Sequence, residues 1–118
     1  MSHMLLIIEP VGQRRLRSDD EGRDLYARMQ RFGESLRKRG KLLAAESLAS
    51  QTGAVRVSKS AGAGTQGTDG PFAEAKEMVG GFFLLDCASM DEAVAIAREC
   101  PAAEWATVEV RAVAPCYE

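Results

Sequence analysis

The chain contains few of the residues from which small catalytic and metal centres are usually built. It has one histidine and three cysteines among its 118 residues. Cys87, Cys100 and Cys116 are widely spaced and form no CxxC pair, which argues against a zinc site. Their odd number also argues against the disulfide framework of a secreted protein. We therefore expect no metal and no cofactor, and we interpret Cys87 and Cys100 as small core residues.

Long apolar runs and a strong charge of one sign are absent as well. No apolar stretch of the sequence approaches the ~20 residues of a membrane span. The first such stretch, residues 4–8, ends at Glu9-Pro10 and is too short for a signal peptide. The net charge of −2 arises from 15 basic and 17 acidic residues, which gives no electrostatic case for nucleic acid or a membrane as a partner. We expect a cytoplasmic protein with a single domain over residues 1–118.

The hydrophobic pattern predicts two helices among several strands. Ser18 and Glu21 form a capping-box sequence, and the helix that follows should end at Gly40. Ser89 is the expected N-cap of the second helix. The predicted apolar faces of these helices are Leu25, Met29, Phe32 and Leu36, and then Met90, Ala93, Ile96 and Ala97. Strands are predicted at residues 4–8, 41–48, 54–58, 80–86 and 107–113, with a flexible hairpin tip at residues 60–67.

This order of elements predicts an α+β fold. A β-α-β unit, a β-hairpin insertion and a second β-α-β unit correspond to the ferredoxin-like, split β-α-β plan. Both helices would cover one face of an antiparallel sheet and leave the other face open. Because an open apolar face must be buried on something, and symmetric homodimers are the commonest oligomers, we expect a second copy of the chain to cover it. The expected assembly is a dimeric α+β barrel with a cleft at each end.

The segment TDGPFAEAKE, residues 68–77, is the most informative part of the sequence. The Asp-Gly-Pro sequence that begins at Asp69 is turn chemistry, with a positive φ expected at Gly70. An aromatic residue and several charges follow within the same short stretch, which makes this loop a candidate wall of a binding site. Asp69 could cap the turn or act as a cleft carboxylate, and Phe72 and Lys76 are candidate substrate contacts.

Glu46 and Arg56 are charged residues on predicted strands that are otherwise small or apolar. Such charges must be paired or hydrated if the sheet meets a partner. They could pair with each other or point to solvent, or they could join Asp69 in a polar cluster at the mouth of a cleft. In the catalytic form of this hypothesis Asp69 and Glu46 transfer protons and Arg56 holds an anionic group of the substrate.

Several stretches of the chain resemble the DGPF-domain branch of the YCII-related proteins. In order along nearly the whole chain, they include MLLI at residues 4–7, TDGPFAEAKE at 68–77, GGFFLLD at 80–86 and VEVR at 108–111. The resemblance implies a dimeric α+β barrel, in agreement with the order of elements. Members of the wider family carry a His-Asp pair proposed as catalytic, with the histidine on the first helix. This chain departs from that pattern, because its one histidine is His3, at the start of the first strand. His3 could face the cleft, but we expect it to be exposed.

Two functions remain open at this point. The first is an enzyme that acts on a small organic substrate in a cleft of the dimeric barrel. The second is a non-catalytic ligand-binding or regulatory module. Some relatives in this branch are encoded beside, or fused to, extracytoplasmic-function sigma factors, so the resemblance implies a possible link to transcription. In both cases the expected partners are a second copy of the chain and a small molecule.

Overall fold

The computed structural model describes residues 2–60, 64–70 and 75–118. Within these ranges the chain forms six strands and two α-helices. The strands are β1 Ser2–Pro10, β2 Leu42–Ser47, β3 Val55–Ser60, β4 Gly64–Asp69, β5 Glu77–Asp86 and β6 Thr107–Ala112. The helices are α1 Asp19–Lys38 and α2 Met90–Glu99, and a short 3-10 turn, Gln13–Leu16, connects β1 to α1.

Both helices begin where the sequence predicts. At α1, Ser18 Oγ accepts a hydrogen bond from the Glu21 N–H at 3.1 Å, and Glu21 Oε1 accepts one from the Ser18 N–H at 3.2 Å, which completes the capping box. The bond from the Ser18 backbone is the main cause of a lowered pKa of Glu21. At α2, Ser89 Oγ accepts from the Glu92 N–H at 3.2 Å. Gly40, with a φ of 71°, follows α1 in a conformation that glycine adopts without strain.

The main sheet has four strands in the order β2-β5-β1-β6, and all neighbouring strands are antiparallel. This order confirms the predicted α+β, ferredoxin-like fold. β3 and β4 form a second, two-stranded sheet, which is the predicted hairpin insertion between β2 and β5.

The hairpin is more regular than the sequence suggested. The predicted flexible tip at residues 60–67 is wrong in its second half, because β4 begins at Gly64. Gly64 pairs with Ser60 and Gly67 with Val57, so strand pairing satisfies the backbone of β4 although its glycines have a low strand propensity. Residues 61–63 lie outside the described part of the chain.

The turn residue Gly70 is glycine for a different reason from the predicted one. Its φ is not positive, so the expected left-handed conformation is wrong. The Gly70 N–H donates to the Ala54 carbonyl at 2.6 Å, which draws the two backbones together. A Cβ at Gly70 would overlap the Gln51 carbonyl oxygen. Close backbone approach, not handedness, is therefore what this position requires.

The core lies between the helices and one face of the main sheet. Phe32 of α1 meets Phe83 of β5 edge to face, with ring centroids 5.1 Å apart. Cys87 and Cys100 are both buried in this core, as predicted, and burial raises the pKa of each thiol. The largest of the other fully enclosed core side chains are Leu5, Leu36, Leu85 and Ile96.

Two expectations about burial are wrong. His3 was expected to be exposed, yet its side chain is only 2% exposed. It lies two residues before Leu5 on β1, and the period of two along a strand places both on the face that the helices cover. Met90 is predicted on the apolar face of α2, but it is 40% exposed at the first residue of the helix.

The opposite face of the main sheet is apolar at its centre. The register pairs Met4 with Leu84 and Leu6 with Phe82, and all four side chains are half-buried. They alternate along the strands with the buried residues of the helix-covered face.

Neither α1 nor α2, the helices of the described ranges, is long and apolar enough to cross a membrane.

Candidate functional site

A cleft of about 580 Å³ lies between α1 and the helix-covered face of the main sheet. Apolar side chains supply much of its wall: Leu25 and Met29 of α1, Phe83 of β5, and Leu48 and Trp105 from the connecting segments. The volume falls in the range of pockets that hold small organic ligands. The cleft is therefore the strongest candidate for a binding site among the described residues.

A buried carboxylate borders this cleft. Glu9 of β1 is on the same strand face as Leu5 and Ile7 and is only 5% exposed. Its Oε1 accepts a hydrogen bond from Arg14 Nε at 2.5 Å. Arg14 also donates through Nη1 to the Leu48 carbonyl at 2.8 Å, which fixes the guanidinium between β1 and the segment after β2. The pair thus joins a buried anion to a partly exposed cation at the cleft wall.

A glycine of β5 makes room for this arrangement. Between β1 and β5 the register shifts at Ile7 and Ile8, and Gly80 is the extra residue of a β-bulge. A Cβ at Gly80 would lie 2.8 Å from Glu9 Oε2 and 3.0 Å from Arg14 Nη2. Glycine at this position therefore lets the carboxylate lie directly against the strand.

Hydrogen bonds also fix the aromatic wall. Gln13 Nε2 donates to the Trp105 carbonyl at 2.7 Å, and Arg17 Nη2 donates to Gln13 Oε1 at 2.9 Å. The Arg28 guanidinium lies 5.4 Å from the centre of the Trp105 ring and is paired with Glu104. The hydrogen bond with Glu104 raises the pKa of Arg28. These contacts hold Trp105 in place at the end of the cleft.

Comparison with known proteins places the chain in a family. The sequence matches the YCII-related domain over residues 1–116. The chain belongs to the YCII-related family. A relative in Rhizobium meliloti (strain 1021), described as an uncharacterised protein, is 44% identical over 94 residues, which cover 78% of this chain and 72% of the relative.

In this YCII-related chain the predicted site residues lie on both sheets. Glu46 is exposed on β2 and borders the cleft. Arg56 is exposed on β3 of the hairpin, where it pairs with Thr68, and the next pair joins Val55 to Asp69. The backbone therefore brings Arg56 and Asp69 to neighbouring positions of one hairpin. A single cluster that also contains Glu46 remains a prediction.

The remaining predicted site residues belong to the segment before β5. Lys76 is exposed, and its carbonyl accepts a hydrogen bond from the Val11 N–H at 3.0 Å, which ties this segment to the end of β1. Phe72 lies outside the described residues, and for Asp69 the structure describes the backbone but not the side chain. Their roles in binding therefore stay predictions.

The sequence interpretation missed Glu9, Arg14 and Gly80. The sequence predicts that the first strand stops at Glu9, but the strand continues through Glu9 to Pro10. Two sequence signals point to this site. Glu9 is two residues after Ile7 and four after Leu5, so all three side chains lie on one face of the strand. A Gly-Gly pair inside an apolar strand indicates a bulge or a close approach of another group.

Among the described residues, Glu9 is the one carboxylate that is buried. Lys41 Nζ lies 2.6 Å from Glu92 Oε1, and this contact raises the pKa of Lys41 and lowers that of Glu92. The pair lies outside the cleft and ties the start of β2 to α2. In the described ranges no group of three or more His, Cys, Asp and Glu side chains is arranged to hold a metal ion.

Proposed function

We propose that this YCII-related chain binds a small organic molecule in the cleft between α1 and the main sheet. The observation that carries the proposal is the Glu9–Arg14 pair, a buried carboxylate held beside an apolar wall. Fixed polar groups beside apolar and aromatic walls in one concavity are a usual signature of a ligand pocket. A buried ion pair is seldom more stabilising than apolar residues of the same volume, so a binding role accounts for it better than stability does.

We further propose that the chain belongs to the DGPF branch and that the DGPF segment contributes to the ligand site. Glu46, which belongs to the same predicted cluster, borders the cleft, and this position supports its part in the extension. In the catalytic form of this proposal, Asp69 and Glu46 transfer protons to and from the bound molecule. Arg56 holds an anionic group, and Phe72 and Lys76 contact the rest of the substrate.

A fragment screen followed by NMR tests the binding proposal. We expect at least one small organic fragment to shift the backbone amide signals of Gly33, Gly80 and Gly81, which belong to residues that line the cleft. Fragments that shift only signals of residues remote from the cleft would contradict the proposal, and so would a screen with no binder.

Replacing Asp69 by asparagine tests the contribution of the DGPF segment. Asparagine can still bond the turn backbone, so folding should be preserved. If Asp69 contacts the ligand, the fragment identified in the screen should bind several-fold more weakly, since a hydrogen bond to a charged group is stronger than one to a neutral group. Asp20→Asn, an exposed change in α1, is the control. Equal affinities of the two variants would leave Asp69 as a turn residue only.

We also propose that a second copy of the chain covers the open face of the main sheet. Its apolar centre, formed by Met4, Leu6, Phe82 and Leu84, supports this, because apolar and aromatic residues concentrate in the cores of homodimer interfaces. A two-fold axis would place the same patch on both subunits.

Sedimentation at micromolar concentration tests the dimer. The wild-type chain should have twice the 12.7 kDa mass of one copy. Leu6→Lys would bury an unpaired charge in the interface, so this variant should sediment as a monomer. Val57→Lys changes a side chain that is already exposed on the hairpin and should leave the mass unchanged. A wild-type monomer would exclude the dimer.

A further inference from the structure

We infer that the cleft selects a neutral aromatic molecule that carries an N–H or O–H group, and that Glu9 accepts the hydrogen bond from that group. This inference rests on the proposed binding function of the same cleft and names the chemistry of its ligand. Three features of the cleft carry the inference: a buried acceptor, the cation that already neutralises this acceptor, and the aromatic side chains that line the cleft.

The acceptor is the carboxylate of Glu9. An ionised carboxylate has only acceptor sites, and it has several of them on two oxygens. Arg14 occupies Oε1, while Oε2 lies against Gly80, where a Cβ would come within 2.8 Å of it. The glycine therefore keeps this second oxygen free of an overlying side chain. A bound molecule that meets this carboxylate can satisfy it only by donating a hydrogen.

The charge of the pair argues for a neutral donor. Arg14 already neutralises Glu9 across a 2.5 Å contact. At the buried Glu9 itself, a cationic group would have to share the carboxylate with the Arg14 guanidinium, and an anionic group would lie beside the carboxylate, so each would meet a like charge. A neutral N–H or O–H group avoids both repulsions and still gains from the charged acceptor.

The walls of the cleft favour an aromatic body. Phe83 and Trp105 line it, and Tyr26 lies at its border. Met29 also lines it and supplies a polarisable thioether, which makes favourable contacts with aromatic rings. The Phe83 ring is held edge to face by Phe32, and Trp105 is held by Arg28. Flat aromatic ligands gain from such fixed rings through stacked or edge contacts.

Indole and 1-methylindole are matched probes for this inference. Indole is neutral and aromatic and can donate through its N–H, whereas the methyl group of 1-methylindole removes the donor and leaves the ring. We expect NMR titration of the wild-type chain to give shifts of the Gly80 and Gly81 amide signals with indole. The affinity for 1-methylindole should be about one tenth of that for indole, or weaker still, as expected for the loss of one hydrogen bond to a charged acceptor.

Glu9→Gln is the decisive variant. With the amide oxygen of glutamine bonded to Arg14, its NH₂ group would replace the second carboxylate oxygen, and a donor would face the N–H of indole. The preference for indole over 1-methylindole should then disappear. Glu99→Gln is the control, because Glu99 forms an exposed ion pair with Arg39 at the end of α2 and does not line the cleft. It should retain the full preference.

The outcomes separate this inference from the binding proposal on which it rests. Equal binding of the two probes at the cleft, or binding of other fragments there but not of indole, would overturn the inference and leave the binding proposal standing. If no probe or fragment shifts the Gly80 and Gly81 signals, both fail. If circular dichroism shows that Glu9→Gln does not fold, the wild-type comparison of the two probes decides the question.

Discussion

Replacing Arg14 by methionine should cost the fold about 3 kcal/mol of unfolding free energy, one of the two largest effects that we expect from single substitutions. The change leaves the Glu9 carboxylate, with 6% of its side chain exposed, without its cation. Removing one partner of a buried ion pair leaves the other charge buried without a partner, which costs more stability than the intact pair contributes. Because a third of the Arg14 side chain is exposed, we place the loss at the lower end of the range for buried pairs. Urea denaturation at neutral pH measures it.

Two further variants make this measurement specific. Arg17→Met removes a cation just beyond the same 3-10 turn. Among the described residues, the Arg17 side chain donates a hydrogen bond only to Gln13, so the effect should stay within about 0.5 kcal/mol. The double variant Glu9→Met/Arg14→Met should recover much of the loss, because apolar residues of similar volume often replace a buried pair without a stability cost. If Arg14→Met is no more destabilised than Arg17→Met, water must hydrate the Glu9 carboxylate, and the fold does not depend on its pairing with Arg14.

Local signals of the sequence were enough to predict the fold. The capping box at Ser18 and the N-cap at Ser89 fixed both helix starts, because each depends on residues within four positions of one another. Strand periodicity then gave the order β-α-β, hairpin, β-α-β. Few topologies are compatible with that order, since β-α-β units cross over with one hand and neighbouring elements pack together. The strand order β2-β5-β1-β6 is the one that the split β-α-β plan requires.

The candidate site could not be predicted in the same way, because it depends on contacts between distant parts of the chain. The Arg14 guanidinium reaches the Leu48 carbonyl, 34 residues away, and Gln13 reaches the Trp105 carbonyl, 92 residues away. No local pattern encodes either contact. Glu9 itself read as the end of a strand, since a charged residue followed by proline usually terminates one. Its burial follows the alternation along β1, and the bulge on β5 makes room for its carboxylate. The Gly80-Gly81 pair indicated such a bulge without identifying the residue that it accommodates.

The same bulge links the stability of the fold to the site. Gly80 lies against the ends of two side chains, whereas Gly81 lies against backbone: a Cβ at Gly81 would be 2.8 Å from the Glu46 carbonyl oxygen and 3.3 Å from Ser47 Cα. Side-chain ends can move aside, but a paired strand cannot move without losing ladder hydrogen bonds. The two glycines should therefore respond differently to an added methyl group.

Gly81→Ala should destabilise the fold by about 1–3 kcal/mol, the usual cost of forcing an extra carbon into a packed region. The alanine methyl would push β2 away from β5 at the Ser47–Gly81 pair and weaken the edge of the main sheet. Thermal or urea unfolding measures the loss, and Gly80→Ala should lose less while displacing the Glu9 carboxylate. Gly22→Ala is the control, because a Cβ there meets nothing within 4 Å and alanine should stabilise α1 by about 0.5–1 kcal/mol. A Gly81→Ala variant as stable as the wild type would mean that β2 is free to shift, and that the cleft wall it forms is not rigid.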